Sequence, residues 1–233
     1  MTKLEQLIKN LYPNGVGYKK IKDICFIGDK QAITQKDIME SGIYPVINSS
    51  REVLGYVDRA NNSPDTLVLI SHGAYAGYCH YMTQDFFAGA LCYPMKSSDD
   101  SIITKYIYYV FKNIEDVIRT KYVNRSGVPY INLKGFLNHT IPVPPLKVQR
   151  EIVRILDNFT ELTAEFTARK KQYECYIEIL LNANRFSNPQ KIKMSQLFSF
   201  KNGLNKGKEF FGSGTPIITY TDVYNNRFLK KII

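Results

Sequence analysis

The chain has 233 residues, 44% of them hydrophobic and 22% charged, which supplies a buried core and excludes disorder by composition. Its net charge of +10 and isoelectric point near 9.3 point to a polyanionic partner, nucleic acid first. The first seven residues lack the apolar stretch of a secretory signal, no apolar run approaches the roughly 18 residues of a membrane helix, and Cys25, Cys79, Cys92 and Cys175 show no paired spacing, so a cytoplasmic protein without membrane contact is expected.

Leu4, Leu7, Ile8 and Leu11 share one face of a short helix that Pro13-Asn14-Gly15 ends. From Val16 to Pro144 the pattern becomes short apolar runs, Ile43–Ile47, Leu67–Ile70, Phe86–Tyr93 and Ile141–Val143, between turn signals at Ser41-Gly42, Asn61-Asn62-Ser63-Pro64 and Ser126-Gly127. This reads as a β-rich domain. One helix is expected inside it, from Ser101 to about Lys121, after a cap region at Asp99-Asp100-Ser101. Pro142-Val143-Pro144-Pro145 reads as a stiff extended hinge.

The hinge leads into the clearest pattern in the chain. Val148, Ile152, Ile155, Phe159, Leu162, Phe166, Arg169, Tyr173, Tyr176 and Leu180 alternate in steps of four and three, a heptad stripe interrupted in character only by Arg169. A helix from Leu146 to Asn182 would be about 55 Å long at 1.5 Å per residue. Its apolar stripe calls for a partner helix, and the reading is a homodimer through Val148, Ile152, Ile155, Phe159, Leu162, Phe166, Tyr173, Tyr176 and Leu180.

An internal echo follows. At an offset of 171, Lys20-Ile21-Lys22 recurs as Lys191-Ile192-Lys193, and Lys30, Pro45 and Ile47 recur as Lys201, Pro216 and Ile218. These are six identities in 28 ungapped positions, where chance supplies about two. The chain therefore reads as residues 1–144, a β-rich recognition domain; 145–185, a spacer helix; and 186–233, the start of a second copy of the domain. The expected class is α+β.

Charge is unevenly placed. Residues 186–233 hold six of the ten net positive charges and residues 1–144 only three, so local clusters matter more than the sum. From Arg119 to Lys134 there are four basic residues and no acid, interleaved with Tyr122, Asn124, Ser126, Tyr130 and Asn132. Lys and Arg neutralise phosphates while Asn, Arg and Tyr reach base edges. The window fits a solvated loop as well as a nucleic-acid contact. Ser71-His72-Gly73-Ala74-Tyr75-Ala76-Gly77-Tyr78 fits an ordinary hairpin loop, or one whose glycines admit a close partner.

Catalytic signatures fail. Pro144-Pro145 lacks the flanking amide or carboxylate of a base methyltransferase, Gly15-Val16-Gly17 lacks the third glycine of a dinucleotide loop, and Ser71-His72-Gly73 is no nucleophile elbow. His72, Cys79, His80 and Cys92 fit no zinc spacing. No cofactor, metal site or catalytic residue is expected.

The opening KLEQLIKNLYPNGVGYKKIKDI, the exit TIPVPPLKVQREIVRILDNFTELTAEFTARKKQYECY and the re-entry KIKMSQLFSFKNGLNKGKEF resemble type I restriction–modification specificity subunits, most specifically in the Pro-Pro-Leu-x-x-Gln string before the long helix. The resemblance implies a non-catalytic subunit whose target recognition domains each read half of a bipartite double-stranded DNA site. Long helices space these domains as an antiparallel coiled coil, DNA methyltransferase (modification) subunits dock, and a restriction subunit joins. With one complete domain, the chain resembles half of such a subunit. Candidate DNA-contacting residues, chosen by chemistry, are Lys30, Gln31 and Thr34; His72, Tyr75 and Tyr78; and Lys121, Asn124, Arg125 and Ser126. Two rival functions are a truncated scaffold or inhibitor that binds modification subunits without productive targeting, and a non-specific nucleic-acid-binding coiled-coil protein.

Overall fold

The computed structural model describes residues 15–182 and 192–199, and the chain divides into two units, Met1–Glu174 and Cys175–Ile233. The helix expected over residues 3–12 and most of the echo at 186–233 lie outside the described residues.

In the first unit the chain enters along strand β1 (Tyr18–Lys20), turns through Ile21–Asp23, and continues as β2 (Cys25–Ile27). β3 (Tyr44–Ile47), β4 (Tyr56–Val57), β5 (Thr66–Ile70), β6 (Cys79–Met82), β7 (Phe87–Ala88) and β8 (Cys92–Ser97) follow. β5 holds the centre. All five of its residues are buried, because both of its faces are covered. Leu67 and Leu69 join the main core with Ile21, Ile24, Met95, Ile107, Phe111, Ile118, Phe136 and Ile141. Val68, between them, packs into a second cluster with Ile47, Phe86, Ala88 and Cys92, as the two-residue period of a strand requires. The resulting antiparallel sheet runs β2-β8-β5-β6, and a smaller sheet places β3 between β4 and a parallel β7.

The apolar run Phe86–Tyr93, one element by sequence, is two strands in different sheets. The chain turns at Gly89, where a Cβ would come within 2.4 Å of Asn48 Oδ1. That close approach lets Asn48 Oδ1 accept a hydrogen bond from the Leu91 amide at 3.0 Å.

The helix expected from Ser101 to Lys121 is also divided. α1 (Thr104–Asn113) stops at Ile114, α2 (Glu115–Val117) is a single turn, and a π-helical turn spans Ile118–Tyr122. The wider turn buries Ile118 and Tyr122 together with Phe136, where a continued α-helix would have placed them differently around the axis. β9 (Val123–Asn124) and β10 (Tyr130–Ile131) then form a hairpin, and α3 (Leu133–Leu137) is capped by Asn132, whose Oδ1 accepts from the Gly135 amide.

The proline segment is not a free hinge. β11 (Thr140–Pro142) pairs antiparallel with β1, the Val143 amide donates to Gly17 carbonyl at 2.8 Å, and Pro144 is buried. The long helix α4 (Leu146–Leu181) is then fastened to the domain, first through Gln149. Gln149 is fully buried. Its Oε1 accepts from the Ile103 amide at 2.9 Å, and its Nε2 donates to the carbonyls of Ser101 at 3.0 Å and Pro144 at 2.7 Å. Two turns on, Asp157 accepts from Lys105 Nζ at 2.7 Å and Tyr109 hydroxyl at 2.5 Å, both on α1. The Pro-Pro-Leu-x-x-Gln string therefore welds helix to domain.

This docking divides the heptad stripe. Val148, expected to face a second copy, is 1% exposed and packs inside its own domain, and Ile152 and Ile155 are half-buried. Phe159, Leu162 and Phe166 are 62%, 59% and 70% exposed, and Tyr173, Tyr176 and Leu180 are exposed as well. Among the described residues no helix is long and apolar enough to cross a membrane. In the second unit, α5 (Met194–Leu197) is one turn following Lys193.

Candidate nucleic-acid interface

Two of the three loops chosen from sequence meet at one end of the β-rich domain. The β5–β6 connection is closed by Gly77 N to Ile70 O at 2.9 Å and Ile70 N to Tyr78 O at 2.8 Å. It is joined to the β9–β10 hairpin through main chain: the Gly73 amide donates to Pro129 carbonyl at 2.8 Å and the Ile131 amide to Ser71 carbonyl at 2.9 Å. His72 bridges to Tyr130 across this seam, their rings stacked with centroids 6.2 Å apart. The Ser71 amide donates to Leu91 carbonyl at 2.9 Å, which attaches the turn after β7 to the same rim.

Arginines gather on this seam. Tyr75 and Tyr78 meet edge to face at 5.7 Å. Arg119, carried by the π-helical turn, lies over the Tyr78 ring at 4.3 Å and donates from Nη1 to its hydroxyl at 2.7 Å. Gly77 makes room for it: at φ +93° it adopts a conformation that L side chains rarely take, and a Cβ there would sit 2.6 Å from Arg119 Cγ. Arg51, from the β3–β4 loop, lies over the same Tyr78 ring at 3.9 Å and 5.7 Å from the Tyr75 ring. Among the described residues no carboxylate pairs with either guanidinium. Arg119 Nε is buried without a partner there.

The β3–β4 loop is itself anchored. His80 Nε2 donates to Ser50 carbonyl at 3.1 Å, and burial, the largest influence, holds the His80 imidazole below its ordinary pKa. Neutral His80 therefore keeps its proton on Nε2, where Ser50 needs it.

The first loop reaches the rim only in part. The Gln31 amide donates to Ala88 carbonyl at 3.0 Å, and Lys30 donates to Ala90 carbonyl at 3.1 Å while lying over Tyr93 at 4.2 Å. Lys30 is thus attached to the turn that Ser71 also grips. Thr34 instead serves its own loop, where its hydroxyl donates to Asp37 at 2.7 Å and caps the turn Gln35–Asp37. Lys121 is exposed and lies 5.5 Å from the Tyr122 ring. Asn124 is exposed opposite Tyr130, and Arg125 and Ser126 are exposed at the hairpin tip beside Val128.

Sequence reasoning misses Arg51, and it counts Arg119 in the basic window but leaves it off the candidate contacts. Asn48-Ser49-Ser50-Arg51, a polar loop presenting one cation after a buried strand, is the signal that could have found it. The histidines and cysteines do not assemble. Cys79 packs in the main core and Cys92 in the cluster on the opposite face of the sheet, and burial raises the Cys92 thiol to about 12. Among the described residues no three His, Cys, Asp or Glu side chains come together to hold a metal.

The profile of the type I restriction modification DNA specificity domain matches residues 13–173. The chain belongs to this family. It is 30% identical over 188 residues to a putative type I specificity subunit of Mycoplasma pneumoniae, covering 76% of this chain and 50% of that one. It is 27% identical over 219 residues to the EcoR124I/EcoR124II specificity subunit of Escherichia coli, covering 84% and 49%. The chain thus spans about half the length of these relatives. Its fold matches the S subunit of a type I restriction–modification system from M. genitalium with a TM-score of 0.61 at 20% identity, over 77% of this chain and 46% of that one. This chain has the α+β architecture and the long helix read from its sequence, and the relatives it matches are specificity subunits, which are non-catalytic.

Proposed function

We propose that the chain is a sequence-specific DNA recognition component of a type I restriction–modification complex, reading one half of a bipartite double-stranded site. The observation that carries this is the rim itself: His72–Tyr78, Asn124–Tyr130 and the loop of Arg51 meet at one end of the domain, with arginines that no described carboxylate neutralises. Such a surface is suited to a polyanion that offers base edges between phosphates. Residues 1–144 supply the recognition surface, and 145–185 the spacer.

The second half of the proposal rests on α4. Phe159, Leu162 and Phe166 are exposed on one stripe beyond the docked base of the helix, and a second copy pairing antiparallel through that stripe would give two identical recognition surfaces and a palindromic bipartite target. DNA methyltransferase subunits dock on this core and a restriction subunit joins it.

Selection of duplexes from a random library by the full chain, alone and with co-expressed modification subunits, tests the reading. Enrichment of a two-part motif supports it. Equal affinity for all sequences with a steep salt dependence favours non-specific binding instead. Capture of modification subunits without DNA selection favours the scaffold or inhibitor. Sedimentation at micromolar concentration giving only the 26.8 kDa species refutes the homodimer.

A further inference from the structure

The arginine resting on the tyrosine corner is the least explained group on the rim. Arg51 is exposed, yet its guanidinium is held by two rings at once, 3.9 Å from the Tyr78 centroid and 5.7 Å from that of Tyr75. Those rings meet edge to face, so they form a corner rather than a flat bed. A guanidinium in such a corner has both its position and its plane restricted without engaging its N–H donors. Among the described residues no acceptor takes any of them. The loop beneath is anchored through Ser50, held by His80, and through Asn48, which accepts from the Leu91 amide.

Arg119 completes the arrangement. Its hydrogen bond to the Tyr78 hydroxyl and its place over the same ring fix the ring that Arg51 rests on. Two like charges share one aromatic ring, a placement that an incoming anion or acceptor-rich edge relieves.

Taking the DNA-recognition reading as its basis, we propose that Arg51 is a specificity-determining residue that reads a guanine within the recognised half-site, with Tyr78 and Arg119 as positioning residues. Guanine presents N7 and O6 as paired acceptors in the major groove, matched by a planar fork of two N–H groups. A phosphate accepts a cation in many orientations and gains little from a fixed plane; a base edge requires one. Arg125, exposed at the hairpin tip and without such bracing among the described residues, is suited to phosphates or to adaptable contacts.

The test is selection from a random duplex library by the full chain carrying Arg51→Ala, Arg51→Lys, Tyr78→Phe or Tyr78→Leu, with thermal melting of each variant beside wild type. Arg51→Lys keeps the charge and loses the fork. At one position of the motif, Arg51→Ala and Arg51→Lys are expected to lower guanine preference by about 5- to 150-fold, with the other positions unchanged. Tyr78→Phe, which keeps the ring and loses the bond from Arg119, is expected to reduce that preference less than Tyr78→Leu, which removes the ring and leaves Arg51 in place. The assignment is overturned if Arg51→Ala weakens binding evenly across sequences with a smaller salt slope and every base preference survives, the behaviour of a phosphate contact. A wild-type chain that enriches no motif overturns the DNA-recognition reading itself, which separates the two failures.

Discussion

Replacing Gln149 with methionine preserves the length and volume of the side chain and removes its three hydrogen bonds. The cost follows from what happens to the partners. Ser101 is exposed, so its carbonyl regains water; Pro144 is buried and Ile103 half-buried, so one carbonyl and one amide are stranded. At about 1–1.5 kcal/mol for each stranded group the loss is about 2–3 kcal/mol. Gln149→Ala adds a cavity and costs about 3–4 kcal/mol. With a urea dependence of about 2 kcal/mol per molar, the methionine variant should unfold about 1–1.5 M earlier. Hydrogen exchange should quicken from Leu146 to Asp157, the stretch that Gln149 and Asp157 fasten to the domain. A methionine variant unfolding within about 0.2 M of wild type, or one that loses stability with unchanged exchange over that stretch, would refute the weld.

Leu162→Glu alters a residue 59% exposed in the single chain, so it should change domain stability by less than about 0.5 kcal/mol. In the paired form the same change buries a charge, and sedimentation should shift toward 26.8 kDa. Arg125→Ala at the hairpin tip should weaken binding to the specific site by about 1–3 kcal/mol where Arg125 reads a guanine, measured by titration of labelled duplex; an unchanged curve removes it from the recognition set. His80 gives a pH dependence. Because burial lowers its folded pKa, the unfolded chain binds the proton more readily, so stability present above the ordinary value of 6.5 declines as pH falls from there through the lowered folded value. His80→Gln should flatten that decline in thermal melts taken between pH 7 and 5; a decline of the same steepness would assign it to another group.

The long helix and the central strand are readable because each is specified by its own residues: a four-three alternation over Val148–Leu180, and an unbroken apolar run at Leu67–Ile70. The limits of both lie in tertiary contacts. Val148 carries the heptad pattern yet belongs to the core, since Gln149 beside it pulls that turn onto the domain. The run Phe86–Tyr93 hides a turn whose only local mark is Gly89, which admits the approach of Asn48 from more than 40 residues away. The helix beginning near Ser101 breaks because Ile118 and Tyr122 both have to reach Phe136. On the rim, chemistry picks out His72, Tyr75, Tyr78 and Arg125. The meeting of the two hairpins depends on long-range main-chain pairing, and Arg51 is invisible until Tyr78 is seen beneath it.

The rim is stitched by peptide groups. Gly73 to Pro129, Ile131 to Ser71, Ser71 to Leu91 and Gln31 to Ala88 are amide–carbonyl links that any residue other than proline at the donor position can make. The frame that sets where the hairpins stand is thus largely indifferent to the side chains it displays. Arg125, Ser126, Tyr75 or Asn124 can be exchanged while the distances between their positions persist. If the rim reads DNA as proposed, a lineage can drift from one motif to another by single exposed substitutions, each nearly neutral for folding, and each re-reading the same stretch of duplex from an unmoved vantage.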